Sequence, residues 1–288
     1  MIETDTRITY PDGATSASGT IVHVEKLDGG MQGVVLDRTA AHPVDPTWPD
    51  QGPDTGTLAV DASSLPLVDV RIGAWDGQEL RLSDSLPARL GSDGWNFVVV
   101  HVVPAGHPLE IGANAIVEVD EKHRYGLSSG HTACHLAALA LNDALAVHWS
   151  KDVRRDSLGT PDFDGAAIQR STIRPYGAAD TYRLGKSLRK SGFGADDALA
   201  RLPEIEERVN TRLAEWIGAD SPVHIRRASD LLSERRFWVC ALPDATATIP
   251  CGGTHITNLA ELRAATIQLT IDDSRSTLTM TTSVAATD

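Results

Sequence analysis

His131 and His135 in "GHTACH", and Cys251 and His255 in "PCGGTH", are two pairs with the same four-residue spacing. On a helix, residues four apart leave the same face, so the two imidazoles can grip one ion. Pro250, Gly252 and Gly253 rule out a regular helix around the second pair, but suit a knuckle that folds thiolate and imidazole around an ion. Three nitrogens and a sulfur form a donor set suited to Zn²⁺. From the residues alone a shared metal site and two unrelated pairs both fit, since an isolated HxxxH or CxxxH is a common coincidence. Thr132 and Ala133 fill the positions where a zinc protease carries its general-base glutamate, which argues against a peptidase. Cys134 falls off the His131–His135 face, and it and Cys240 read as core. The remaining histidines show no interpretable spacing.

Positioning those pairs requires two kinds of structure. "GTIVHVEKL", "MQGVVLDRTA", "VDVRIGAW", "QELRLSD", "NFVVVHVV" and "NAIVEVD" are Val-, Ile- and Leu-rich runs punctuated by Gly, Pro and Asp, which predicts a β-rich first half. From about residue 128 the pattern changes. "SSGHTACHLAALALNDALAVHW" predicts a long buried helix with serine N-caps. "DTYRLGKSLRKSGF" predicts a second helix, capped at Asp180 or Thr181 and stopped at Gly192. "PEIEERVNTRLAEWIG" spaces Ile205, Val209, Leu213 and Ile217 by four, predicting an amphipathic helix. "RRFWVCAL" reads as a strand, and "ATIQLTID" and "STLTMTTSV" as a hairpin around "DDSR". The expected fold class is α+β: a barrel-like β domain over residues 1–117, then an α+β domain over 118–288 that carries the zinc site.

The chain has 288 residues, 41% hydrophobic and 23% charged, and a formal net charge of −13. That balance fits an ordinary globular protein and argues against broad nonspecific nucleic-acid binding, DNA included. The N-terminus lacks the pattern of a signal peptide, and no apolar run reaches membrane-span length. Three cysteines are too few for a disulfide scaffold, so a reducing cytoplasm is expected. Arg183, Lys186, Arg189 and Lys190 form a basic exception in this acidic chain. On the predicted helix, Arg183, Lys186 and Lys190 share a face that either grips phosphates or is merely solvated.

"HTACHL" followed by "CGGTHITNLAEL" resembles the HxxxH…CxxxH signature of alanyl-tRNA editing proteins, the free-standing AlaX-type relatives of the alanyl-tRNA synthetase editing domain. "DQGPDTGTL", "VHVV", "GANAIVEVDEKHR" and "VNTRLAEWIGADSPV" fall in the family's order, so the resemblance runs from about residue 20 to 270. It implies a β-barrel followed by an α/β editing domain with Zn²⁺ held by His131, His135, Cys251 and His255. It also implies an ATP-independent hydrolase that guards translation fidelity by cleaving serine or glycine from mischarged alanine tRNA. Gln51 and Thr254 would then be the catalytic pair. Thr55, Asp54 and Gly253 would contact the amino acid, with the basic residues on the tRNA.

Two departures stand out. Trp48-Pro49-Asp50 replaces the glycines that usually precede the family's glutamine, and "IDDSRSTLTMTTSVAATD" replaces a basic terminal strand. Amino-acid choice and tRNA engagement are therefore open. A hydrolase of the same fold acting on a small ester or amide is the alternative enzyme, and a binding module with structural zinc is the non-enzymatic one.

Overall fold

Alternation of buried and exposed residues is clearest at Asn114–Val119, where Ala115, Val117 and Val119 turn inward. This strand lies within a computed structural model of the protein that describes residues 2–82, 86 and 89–285. The end of "QELRLSD" (Ser83, Asp84) and the last three residues lie outside the described residues.

The protein divides into two units. The first comprises Met1–Tyr125, Ile225–Phe237 and Gly252–Thr254. Its strands are β1 (Arg7–Ile8), β2 (Ser16–Leu27), β3 (Met31–Leu36), β4 (Arg38–Thr39), β5 (Gly56–Val60), β6 (Ser63–Leu67), β7 (Asp69–Trp75), β8 (Leu80–Leu82), β9 (Asn96–Pro104) and β10 (Asn114–Val119). Eight of them form a curled antiparallel sheet of order β6-β5-β10-β2-β3-β9-β7-β8. A register shift between Ile21 and His23 marks a bulge that bends β2. Central strand β9 is buried on both faces: Phe97, Val99 and Val103 enter the main core, while Val98 and Val100 pack with Ile2 and Val35. Gly56 opens β5 beside β10; a Cβ there would collide with the Glu118 carbonyl oxygen.

The second unit comprises Gly126–His224, Trp238–Cys251 and His255–Asp288. Its long helix α1 runs Glu121–Leu145, the first turn belonging to the first unit. The helix therefore starts seven residues before Ser128. Asp120 is its cap, accepting the His123 N–H at 3.0 Å, and Ser128 and Ser129 are buried inside the helix. Short α2 (Phe163–Ala167) leads to a hairpin of β11 (Ile168–Arg174) and β12 (Gly177–Arg183). Short helices α3 (Lys186–Lys190) and α4 (Ala195–Ala200) then precede α5 (Leu202–Gly218). Three short strands follow in one sheet, β13 (Val223–Arg226), β14 (Phe237–Ala241) and β15 (Thr246–Pro250), of which Ile225, Arg226 and Phe237 belong to the first unit. The unit ends in β16 (Ala265–Ile271) and β17 (Thr277–Val284), the hairpin expected around "DDSR".

The helix expected over 180–192 is corrected here. Gly177–Arg183 is a central strand, paired with β17 from Gly177↔Ser283 to Arg183↔Thr277, and only Lys186–Lys190 is helical. Ala178, Asp180, Tyr182 and Leu184 are all buried, so period-two burial outweighed the helical spacing of the leucines. The sheet order is β11-β12-β17-β16, which leaves β16 at an edge. Helix α5 covers that edge. Its Ile205, Val209, Leu213 and Ile217 are buried as expected, and Asn210 bonds both the N–H and the C=O of Ile267, while Glu206 accepts the Leu269 N–H. Edge groups that could template aggregation are thereby satisfied.

Candidate metal centre

Helix α1 meets the β11–β12 hairpin through small residues. The Tyr176 N–H donates to the Gly126 carbonyl, and Leu127 and Cys134 pack with Ile173 and Ala178. A Cβ on Gly130 would lie 2.5 Å from the Gly177 carbonyl oxygen and collide with that of Arg174. This close seat fixes the turn of α1 that begins at His131. Alanine at 130 would gain about 1 kcal/mol of helix propensity but cost roughly 1–3 kcal/mol in overpacking, so the clash wins. Gly130→Ala is expected to lower the melting temperature and weaken metal binding by about 10–100-fold. Thermal melts and chelator competition check both.

On the next face of α1, the His131 and His135 rings stand 4.8 Å apart between centroids. His255 joins them, 4.4 Å from the His131 ring and 5.1 Å from the His135 ring. The Cys251 Sγ lies 3.5 Å from His131 Nε2 and 3.2 Å from His255 Nε2. All four donor atoms fall within 4.8 Å of one another. Tetrahedral coordination with ordinary Zn–N and Zn–S bonds would place them about 3.3–3.6 Å apart.

Two further observations fit an ion. His135 Nε2 is buried without a hydrogen-bond partner, an orphan that a metal would satisfy. Burial also lowers the pKa of His135 to about 4, keeping the imidazole neutral as a ligand must be. Thr132, between the two helix histidines, puts its Oγ1 3.2 Å from His255 Nδ1 and accepts the Ile256 N–H at 3.4 Å. A hydroxyl on Nδ1 leaves Nε2 for the ion, the outer-shell arrangement usual for metal-bound histidine. The sequence reading noted Thr132 only as a missing glutamate.

Downstream, Asn258 and Glu261 form a capping box, and Glu261 also accepts from Thr257, pinning the chain after His255. The Val223 N–H bonds the Thr257 carbonyl at 2.8 Å. Cys134 is buried as expected, but its Sγ faces Asp180 Oδ2 at 3.3 Å. Burial and the neighbouring carboxylate push that thiol's pKa well up. Cys240 is likewise buried, its thiol pushed up to about 12 by desolvation.

In the first unit, Gln51 and Thr254 are buried against each other. Gln51 Nε2 donates to Thr254 Oγ1 at 2.9 Å, and Gln51 Oε1 accepts the Thr254 N–H at 3.0 Å. Asp54, expected at the amino acid, is committed elsewhere. Both its oxygens bond Arg124, which is also buried, and it accepts the His42 N–H at 2.5 Å. Its carboxylate thus holds the 42–54 loop to the start of α1. Thr55 is exposed and Gly253 buried. A Cβ on Gly252 would stand 3.1 Å from Arg236 Nη2, the end of a long side chain that the motif does not reveal.

The four basic residues do not share one helix as expected, because Arg183 ends β12 while Lys186, Arg189 and Lys190 sit on α3. All four are exposed, and Arg189 lies 3.5 Å from Asp196.

Fold and site thus define a mixed α+β protein with a four-donor N₃S group able to hold a metal ion. No known protein-family model matches the chain. Segments of it are similar to the alanine–tRNA ligase of Lactobacillus johnsonii, 33% identical over 84 residues, covering 28% of this chain and 9% of that ligase. The alanine–tRNA ligase of Lactobacillus gasseri is 41% identical over 64 residues, 22% of this chain and 7% of the ligase. The similarity therefore spans less than a tenth of either ligase. No helix among the described residues is long and apolar enough to cross a membrane.

Proposed function

We propose that the protein is a zinc-dependent hydrolase of the cytoplasm that cleaves serine or glycine from mischarged alanine tRNA in trans. The observation that carries this reading is the gathering of His131, His135, Cys251 and His255 in a chain that partly resembles alanine–tRNA ligases. His131, His135, Cys251 and His255 would hold the zinc, which when bound would supply Lewis-acid stabilisation of the negative charge that develops on an ester carbonyl. Thr132 holds the His255 ring, and Gln51 fixes the Thr254 hydroxyl, the pair that would act on the ester. No carboxylate separates the two helix histidines; the hydrolysis balances when the proton given up by the attacking water is taken up by the leaving ribose oxygen. Thr55 and Gly253 border the amino acid, while Asp54 serves by bracing the loop that carries Gln51. Deacylation of mischarged alanine tRNA, before and after chelation and zinc restoration, tests the reading. Turnover that ignores the chelator would leave only a structural metal.

The exposed cations at Arg183, Lys186, Arg189 and Lys190 would meet backbone phosphates. Changing Arg183, Lys186 and Lys190 together to Glu is expected to reduce the log–log salt slope of tRNA binding by roughly 2–3. Turnover of a minimal aminoacyl-adenosine, which lacks those phosphates, should stay constant. An unchanged slope would mark these residues as a solvated surface.

The second reading, a hydrolase of small esters or amides, draws on the net charge of −13 and on β17, which has no basic residue. Deacylated tRNA competes with substrate under the first reading and not under the second.

A further inference from the structure

The loop from His42 to Asp54 is closed at its base, where the His42 N–H bonds Asp54 Oδ2 at 2.5 Å and the Asp54 N–H bonds the His42 carbonyl at 3.1 Å. Pro43, Pro46 and Pro49 restrict its backbone. Asp45 Oδ1 accepts from both the N–H (2.8 Å) and Oγ1 (2.7 Å) of Thr47, making a tight turn. Both sides of the tip reach the middle of the PCGGTH run. Asp45 Oδ2 lies 4.0 Å from where a Gly252 Cβ would be, and Gln51 is doubly bonded to Thr254. Between them, at the tip, stands Trp48 with 42% of its surface exposed. It is the one aromatic among the exposed large hydrophobic residues described.

A lone exposed leucine would call for no comment. An indole on a braced loop, three residues from Gln51, is different, because three residues span at most about 10 Å. An aminoacyl ester sits on the terminal ribose, so the terminal base lies one sugar ring from the reacting carbonyl. Flat aromatic faces bind unpaired bases by stacking, with little regard to sequence.

We propose that Trp48 is a stacking platform for the terminal nucleobase of the substrate. This rests on the aminoacyl-tRNA reading of the same site, and makes Trp48 a binding residue that acts on KM more than on kcat. The glycines that this position replaces in the resembling family could not provide such a surface.

The test compares wild type, Trp48→Ala and Trp48→Phe in two assays: deacylation of seryl-tRNA and direct binding of 5′-AMP by calorimetry. Trp48→Ala should raise KM and weaken AMP binding by about 10-fold or more, with kcat changed less than about threefold. Trp48→Phe should recover most of both. Equal KM and AMP affinity in wild type and Trp48→Ala would overturn the platform while leaving the deacylase reading intact. If wild type cleaves no aminoacyl-tRNA, that reading fails, and AMP binding then decides alone. Binding lost in Trp48→Ala keeps a nucleotide platform on this loop, and no binding by wild type removes it.

Discussion

Cys251→Ala protein is expected to emerge from purification nearly free of metal, where the wild type holds about one zinc per chain. The thiolate is the donor that most favours zinc over Mg²⁺ or Ca²⁺, and it lies 3.5 and 3.2 Å from two of the three imidazole nitrogens. His131→Ala should have a similar effect, since it takes a buried donor from the rigid side of the site. Each loss should exceed the roughly 10–100-fold expected when only an outer-shell partner such as Thr132 is removed. Elemental analysis of the two variants, with circular dichroism to confirm folding, decides the matter. Full occupancy in both would show that these residues do not share an ion.

Seryl-tRNA should be cleaved at least ~10²-fold faster than alanyl-tRNA. A free-standing deacylase that attacked correct alanyl-tRNA would waste each charging event. Serine differs from alanine by one hydroxyl, and a site that hydrogen-bonds that hydroxyl leaves its own polar groups unpaired when alanine enters. Discrimination built this way reaches roughly 10⁴-fold or more, whereas fit alone gives about 10²-fold. Gln51, Thr254 and Thr55 are the side chains expected near that hydroxyl or the ester, and Gln51 and Thr254 would have to exchange part of their mutual bonding for a bond to serine. Parallel assays with serine, glycine and alanine on the same tRNA, using metal-free protein as control, measure the ratio. No acceleration over spontaneous hydrolysis for any of the three would defeat the deacylase reading in favour of the small-substrate one.

The features legible in the sequence were those set by neighbours along the chain. The four-residue spacing of Ile205, Val209, Leu213 and Ile217 marked α5, and "DDSR" between two alternating runs marked the β16–β17 hairpin. The two pairs of candidate metal donors were visible for the same reason, each being a local geometry of helix or turn. Of the helix expected at 180–192 only Lys186–Lys190 formed, because leucines at 184 and 188 fit a helical period while residues 178 to 184 equally fit a strand. Pairing with β17, almost a hundred residues away, decided between them. The start of α1 was misplaced because serine and aspartate both cap well, and nothing local ranks Asp120 above Ser128.

Sequence by itself determined which atoms can bind metal and that a helix and a glycine turn present them, because spacing fixes direction within a single element. Only the tertiary structure decided that His131, His135, Cys251 and His255 converge, since residues 120 apart meet through packing that no local preference encodes. It also decided the supporting roles: Thr132 on His255, Gly130 seated on the hairpin, and Asp54 paired with Arg124. Those roles follow from burial, which obliges each polar group to find a partner wherever the fold supplies one.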